Sequence, residues 1–335
     1  MIGINEINKL MSFYGKDLIE YESIHNGVGS EVYKVITTSG IFILKNPTGD
    51  QINNLEAEPD ICKYLNDHDF KVSTFEKSVE GKYVVCFEQE IFSLQRYFEG
   101  RIYPFNETPD WLMVESAKKL GSIHELMKNY HQLDIGIGTS FFEYKRSQNT
   151  LHSYLNTLEI AKQKNDVEII EDLEFRIDLI KRYNFDDICL EDFTCLNTHG
   201  DYNVSQIICS DNKIEAIIDW TSACVHPIVW EIMRSFVYAE PTCKDGKIDI
   251  DKLIKYIKAY LTNGALTKKD IELMPKLFFY QITVCDYYGL FYNDVILNKQ
   301  IMLHHAIFST KLMRWFDDHI DSLVHNLMEE FCNLD

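Results

Sequence analysis

Apolar side chains recur on alternate positions around Val32, Tyr33 and Val35, and again at Ile41 and Ile43. That is the period of strands with one buried face. Gly27, Gly29 and Ser30 supply a turn before this run, and Ser39-Gly40 a second one within it, so the stretch predicts antiparallel strands. Lys71–Phe75 and Lys82–Phe87 add two short strand candidates around a Glu80-Gly81 turn. Residues 4–20 carry Ile4, Ile7, Leu10 and Met11 on one stripe and predict a short amphipathic helix. Residues 51–67 predict another, with Leu55, Ile61, Tyr64 and Leu65 on its apolar face and Pro59 breaking or beginning it.

From Asp110 onward the period turns helical. Asp110 is placed to cap WLMVESAKKLGSIHELMK, residues 147–182 read as two helices, and Pro227 begins the apolar helix PIVWEIMRSFVYA. Residues 249–335 add further helices, one capped by Thr267. Strand patterning returns once, where Ile207–Cys209 and Ile214–Ile218 flank a turn of Ser210, Asp211, Asn212 and Lys213 and predict a hairpin.

Hydrophobic residues make up 46% of the 335, enough to bury a sizeable core and too many for wholesale disorder. No apolar run reaches the length of a membrane span, and the opening MIGINEINKLMSFYGKD has no basic region followed by an apolar stretch. The nine cysteines form no C-x-x-C pair, which favours free thiols in a reducing compartment. The expected location is the cytoplasm. A net charge of −19 repels phosphate backbones and argues against nucleic acid as a partner. It is compatible with a cationic substrate and equally with a solvated acidic surface.

The chemistry concentrates around the hairpin. Asp201 lies in the loop entering it and Asp219 at its end. Two carboxylates on a short rigid support suit phosphoryl transfer, where one orients the attacking hydroxyl and the other holds magnesium. His199-Gly200-Asp201, followed at this spacing by the triplet Ile218-Asp219-Trp220, resembles the catalytic core of the aminoglycoside phosphotransferase and choline kinase-like family. Gln206 stands where that family usually has Asn.

The resemblance implies an α+β, bilobal protein-kinase-like fold, with a small antiparallel β N-lobe and a large, mainly helical C-lobe. The implied division is 1–94 for the N-lobe, 95–99 for the hinge, and 100–335 for the C-lobe with its catalytic loop and metal-binding hairpin. It implies ATP and Mg2+ as cofactors, with GTP as an alternative nucleotide. Asp201 would accept or orient the hydroxyl proton, and Asp219 would bind Mg2+. Gln206, or Asn203 in the same loop, would be the second metal ligand. Gly27, Gly29 and Ser30 would cover the phosphates. Lys45 would hold phosphate oxygens or else be an edge-strand charge, and Glu58, or failing it Glu56, would orient it. Gln95, Arg96, Tyr97 and Phe98 would offer backbone groups to adenine. His124 is expected in the core or supporting the site, and Glu231 to supply the acid these relatives place early in the Pro227 helix.

The function so implied moves the γ-phosphate of ATP to a hydroxyl of a small molecule, of the aminoglycoside, choline, homoserine or sugar type. A catalytically weak relative like those of the spore coat is the alternative. A protein kinase fits poorly, since no His-Arg-Asp and no Ala-Pro-Glu occur. Arg176, Lys181 and Arg182 are expected at the surface, as are Asp186, Asp187, Glu191 and Asp192, unless these acids line a cation pocket. Tyr280, Asp286, Tyr287, Tyr288 and Tyr292 either shape an acceptor pocket or pack helices.

Overall fold

The computed structural model describes residues 2–24, 31–47, 56–136, 142, 146–183, 185, 188–296 and 298–334. In chain order the elements begin α1 (Ile4–Phe13), β1 (Leu18–Ile24), β2 (Glu31–Thr37), β3 (Gly40–Asn46), α2 (Ala57–Asp67), β4 (Val84–Phe87), β5 (Glu90–Arg96) and α3 (Asp110–Met127). They continue with α4 (Arg146–Lys164), α5 (Val167–Arg182), β6 (Cys195–Thr198), β7 (Ile207–Ser210), β8 (Lys213–Ile217), β9 (Cys224–Pro227) and α6 (Ile228–Ala239). The chain closes with α7 (Ile250–Tyr260), α8 (Lys268–Thr283), α9 (Tyr287–Tyr292) and α10 (Lys299–Glu330). These elements form two compact units, Met1–Ile102 with Gln206–Ala223, and Tyr103–Ser205 with Cys224–Asp335.

The first unit is built on a five-stranded antiparallel sheet of order β1-β2-β3-β5-β4. Helix α1 buries Ile7, Leu10 and Met11 against Tyr33, Val35, Phe42, Leu44, Phe92 and Leu94 of the sheet. The helix stops at Phe13 and not at residue 20. Gly15 takes the left-handed conformation at φ +61°, and the Lys16 N–H turns back to the Met11 carbonyl at 3.1 Å, which ends the helix and frees Leu18 to start a strand. Because β3 lies between β2 and β5, Lys45 is not an edge charge.

The hairpin β7–β8 belongs to this unit, where the sequence reading placed it with the helical part. Backbone bonds strap it on both sides. Ile217 N–H donates to the Lys71 carbonyl at 3.2 Å, and Arg101 and Cys209 exchange bonds of 2.8 and 2.9 Å. Lys71–Phe75 is therefore no free-standing strand, since Val72 and Phe75 make single bridges to Ile217 and Gln95. Gly100, at φ +154°, lies so close that a Cβ would meet the Cys209 carbonyl oxygen at 2.7 Å. At the tip, Asp211 (φ +45°) and Asn212 (φ +58°) adopt the positive φ of a two-residue hairpin turn.

The second unit is mainly helical, with the two-stranded ladder β6–β9 set among the helices. Gly121 lets α3 approach the end of α7, where a Cβ would sit 2.4 Å from the Tyr260 carbonyl oxygen. Thr267 caps α8 as its sequence predicts, paired reciprocally with Asp270. Arg176, expected at the surface, is fully buried. Its guanidinium donates to Tyr154, Ser309, Thr310 and the carbonyls of Ala306 and Cys285, so neutral acceptors take the place of water. Asp286, Tyr288 and Tyr292 are structural. Asp286 caps α9 and accepts from Ser153, while the two tyrosines donate to Asp172 and Asp166.

Candidate active site

In the first unit, Lys45 comes off the interior strand β3 and is only 6% exposed. Its Nζ donates to Asp219 Oδ1 at 2.6 Å, across 174 residues of sequence. The Thr221 hydroxyl donates to the same oxygen at 2.7 Å. Asp219 itself adopts φ +64°. That region costs an ordinary side chain roughly 1–2 kcal/mol, although Asp tolerates it better than most.

Its neighbours fix the conformation. Ile218 N–H donates to the Gln206 carbonyl at 2.9 Å, Trp220 N–H to Glu58 Oε1 at 3.0 Å, and the buried Trp220 indole to the Ile217 carbonyl at 3.2 Å. Glu58, in the first turn of α2, thus braces the segment carrying Asp219. Burial, with the charges of Glu58 and Asp219, holds the Cys62 thiol of the same helix well above its ordinary pKa against the pull of Lys45. That cysteine is therefore a protonated, inert thiol.

Gln206 and Asp219 lie at the open end of the hairpin, joined through the Gln206–Ile218 backbone bond. An amide oxygen and a carboxylate are hard donors of the kind magnesium accepts. That ion commonly takes one or two protein ligands and completes its shell with phosphate and water. The hardness of these two donors is what fits a cation shared with phosphate, and among the described residues no cluster of three His, Cys, Asp or Glu side chains could hold a metal.

Gly27, Gly29 and Ser30 lie outside the described residues. Gln95 and Arg96 form the end of β5, and their backbone is partly committed. Arg96 N–H donates to the Thr74 carbonyl at 2.8 Å, Tyr97 N–H to the Ile41 carbonyl at 3.2 Å, and Gln95 pairs with Ile43. The N–H groups of Arg96 and Tyr97 are thus spent within the sheet. The Arg96 side chain binds Glu76 at 2.9 Å, and Lys34 lies over the Tyr97 ring.

In the second unit, Asp201 follows β6 on a loop clamped from below by Glu231 of α6. Glu231 is fully buried. Its Oε1 accepts the N–H groups of Gly200 at 2.7 Å and Tyr202 at 3.3 Å, on either side of Asp201. Its Oε2 accepts His199 N–H at 3.3 Å and His124 Nε2 at 2.9 Å. Burial alone would raise the Glu231 pKa, but the hydrogen bond from His124 and the neighbouring His199 outweigh it and hold the carboxyl below its ordinary value. His124 is anchored in turn by Tyr260 at 2.9 Å, which makes it a support for the loop. Gly200 supplies the left-handed turn at φ +79°. Asn203 is committed within the loop, its amide donating to the Asp201 carbonyl at 2.8 Å and its oxygen accepting from Ser205.

The Asp201 carboxylate accepts a hydrogen bond from Arg234 Nη2. Sequence reasoning missed this arginine. The available signal was its place one turn after Glu231 on α6, which puts both side chains on one helix face.

A family model for the phosphotransferase enzyme family matches residues 20–256. No curated protein matches the chain. Among solved structures, a spectinomycin phosphotransferase in complex with ADP and spectinomycin is 14% identical. It aligns over 98% of this chain and 99% of its own, with a TM-score of 0.62. A microcompartment-associated aminopropanol kinase is 11% identical, over 97% of this chain and all of its own, with a TM-score of 0.65. A choline kinase from Cryptosporidium parvum is 13% identical, over 97% and 94%, with a TM-score of 0.55. These likenesses establish the fold, an antiparallel sheet followed by a mainly helical remainder. The match over residues 20–256 goes further, and the chain belongs to the phosphotransferase enzyme family.

Proposed function

We propose that the protein is an ATP-dependent small-molecule kinase that moves the γ-phosphate to an alcohol. The observation that carries this reading is the ion pair at 2.6 Å between the buried Lys45 and the half-buried Asp219, braced by Glu58 through Trp220, in a chain of the phosphotransferase family. A lysine buried on an interior strand and paired with a half-buried carboxylate has little structural purpose that an apolar pair would not serve better.

In this reading Lys45 holds phosphate oxygens, and Asp219 with Gln206 holds Mg2+, which neutralises the charge of the phosphates when bound. Asp201, kept in place by Glu231 and Arg234, orients the acceptor hydroxyl and takes its proton. The hydroxyl oxygen bonds to the γ-phosphorus while the β–γ bridging bond breaks, and its electron pair leaves with ADP. Gln95–Phe98 contact adenine through the backbone groups that the sheet leaves over, chiefly carbonyls and Phe98 N–H. The expected cytoplasmic location belongs to the same proposal, supported by nine free thiols and by the lack, among the described residues, of any helix long and apolar enough to cross a membrane.

Asp201→Ala tests the assignment. ADP production with an accepted alcohol is expected to vanish while calorimetry shows nucleotide bound as in the wild type. Transfer that survives the substitution removes Asp201 from the mechanism. Gln206→Ala tests the second metal ligand, and a Mg2+ requirement that does not move in that variant assigns the ion to other donors.

A further inference from the structure

Among the described residues, nine buried side-chain nitrogen and oxygen atoms have no hydrogen-bond partner, and four of them fall in one cluster beside Asp201. They are His226 Nε2, Trp230 Nε1, Arg234 Nε and His305 Nδ1. The rings form a continuous run. The Arg234 guanidinium lies 5.5 Å from the centroid of Trp230 and 4.8 Å from that of Tyr238. His226 lies against Trp230 at 4.3 Å with the rings tilted by 42°, and His305 approaches Tyr238 at 6.1 Å and Tyr287 at 5.4 Å. Arg234 meanwhile binds Asp201.

Two features define what the cluster can accept. The first is its stock of unmet hydrogen bonds. Arg234 Nε and Trp230 Nε1 only donate. His226 Nδ1 faces the Pro227 carbonyl at 3.2 Å, which fixes its proton there and leaves Nε2 as an acceptor in the neutral ring. Burial keeps His226 neutral, and burial with the Arg234 and His304 charges pushes His305 down to about 4 against the pull of Asp201. Each stranded group costs about 1–3 kcal/mol until something meets it. Trp230 is only 8% exposed and His226 only 2%.

The second feature is charge. The faces of Trp230 and Tyr238 are where an ammonium group would stack, and the protein's own guanidinium already occupies them. The same guanidinium neutralises Asp201, the nearby anion that would otherwise attract a cation.

We propose that this cluster is the acceptor subsite and that it takes a neutral or anionic polyhydroxy compound, whose oxygens meet Arg234 and Trp230, in preference to an amine-bearing alcohol. This rests on the phosphotransferase reading above and narrows it. It differs from the cationic acceptor with which the net charge is compatible, because the local field at Asp201 is set by Arg234 and not by the surface total. The transfer step is unchanged: one hydroxyl of the polyol attacks the γ-phosphorus, ADP departs with the bridging electron pair, and the hydroxyl proton passes to Asp201.

The test uses the full chain with Mg2+ and ATP, following ADP release with acceptors matched in pairs: myo-inositol and 2-deoxystreptamine, D-glucose and D-glucosamine, propane-1,2-diol and 1-aminopropan-2-ol, ethylene glycol and choline. In any pair that is turned over, the amine-free member is expected to have a kcat/KM about tenfold higher or more. Trp230→Phe keeps the ring and removes one donor. It should raise KM for the best acceptor by about fivefold or more with KM for ATP unmoved, a split that a merely structural tryptophan would not give. An amine-bearing compound as best acceptor, or an unchanged acceptor KM in Trp230→Phe, overturns the inference. ADP release from no member fails the phosphotransferase reading itself. Calorimetry then decides the subsite separately, since tetramethylammonium should give no binding heat with the wild type, and binding that Trp230→Ala removes refutes the occupied aromatic faces.

Discussion

Glu231 touches no reacting atom in the proposed mechanism, yet its removal should disable the enzyme. The carboxylate is fully buried and accepts from four donors, three of them backbone N–H groups of the loop from His199 to Tyr202. The two short bonds, from Gly200 at 2.7 Å and His124 at 2.9 Å, set the scale. Hydrogen bonds to a charged acceptor contribute about 1.5–3 kcal/mol each, so these two together account for roughly 3–6 kcal/mol. Glu231→Ala should therefore lose about 3–5 kcal/mol, which for a unit of this size lowers Tm by roughly 6–20 °C. Glu231→Gln keeps the shape but turns an NH2 toward donors. It is expected to fold, to lose kcat by on the order of 10–100-fold because Asp201 is no longer held, and to keep KM for ATP within about twofold.

The pH dependence of that effect has a definite sign. The folded pKa of Glu231 lies below its ordinary 4.5, so the unfolded chain binds the proton more readily. The stabilisation is complete above 4.5 and drains away as pH falls through the folded value. In Glu231→Gln this part of the acid slope should be missing. Differential scanning calorimetry from pH 7 down to pH 3, beside steady-state kinetics, reads both effects. A Glu231→Gln protein with wild-type kcat and an unchanged acid limb would refute the clamp.

Gly121→Ala should destabilise the second unit by about 1–3 kcal/mol or more, read by thermal melting, because the new Cβ meets the backbone oxygen of Tyr260 and the backbone nitrogen of Gly264. Arg176→Met strands a set of buried acceptors and should cost about 3–5 kcal/mol, with KM for ATP unchanged in the folded fraction. Lys45→Met should raise KM for ATP on the order of tenfold or more, and an unaltered KM would separate Lys45 from the nucleotide. His305 titrates near 4 when folded against 6.5 when free. The unfolded state thus takes up its proton first, stability declines as pH falls from 6.5 toward 4, and His305→Gln should flatten that stretch of the Tm profile.

The parts legible in the sequence are those fixed by local periodicity or by short spacing. The hairpin could be read from Ser210–Lys213 between two apolar runs, and its observed strands depart from those runs by no more than one residue at any end. Thr267 announced a helix start, and the two helices across 147–182 followed from composition and period. The failures involve contacts between residues far apart in sequence. Nothing near Arg176 says that Tyr154, Ala306, Ser309 and Thr310 will surround it, so a charged side chain read alone defaults to the surface. The stripe of Ile4, Ile7, Leu10 and Met11 does not say where α1 ends, because the end is set by Gly15 acting as a left-handed stop.

The same reasoning explains why half of the candidate site was visible and half was not. His199-Gly200-Asp201 and Asp219 can be picked out by their spacing and resemblance, and two of these positions, Gly200 and Asp219, carry a backbone requirement of their own. Gly200 is at φ +79° and Asp219 at φ +64°, and only a few residue types tolerate such positions. A conformation this restricted leaves a mark in a short motif. Glu231, His124 and Arg234 lie in ordinary helix, where any good helix former satisfies the backbone. Their identity is set entirely by what faces them across the fold, the N–H groups of the loop and the Asp201 carboxylate. Glu231 and His124 are singled out only through the family resemblance, and Arg234, which no motif marks, is the supporting residue a single sequence hides. Arg234 is the sharpest case, because it fixes the orientation of Asp201 and the charge an acceptor would meet there.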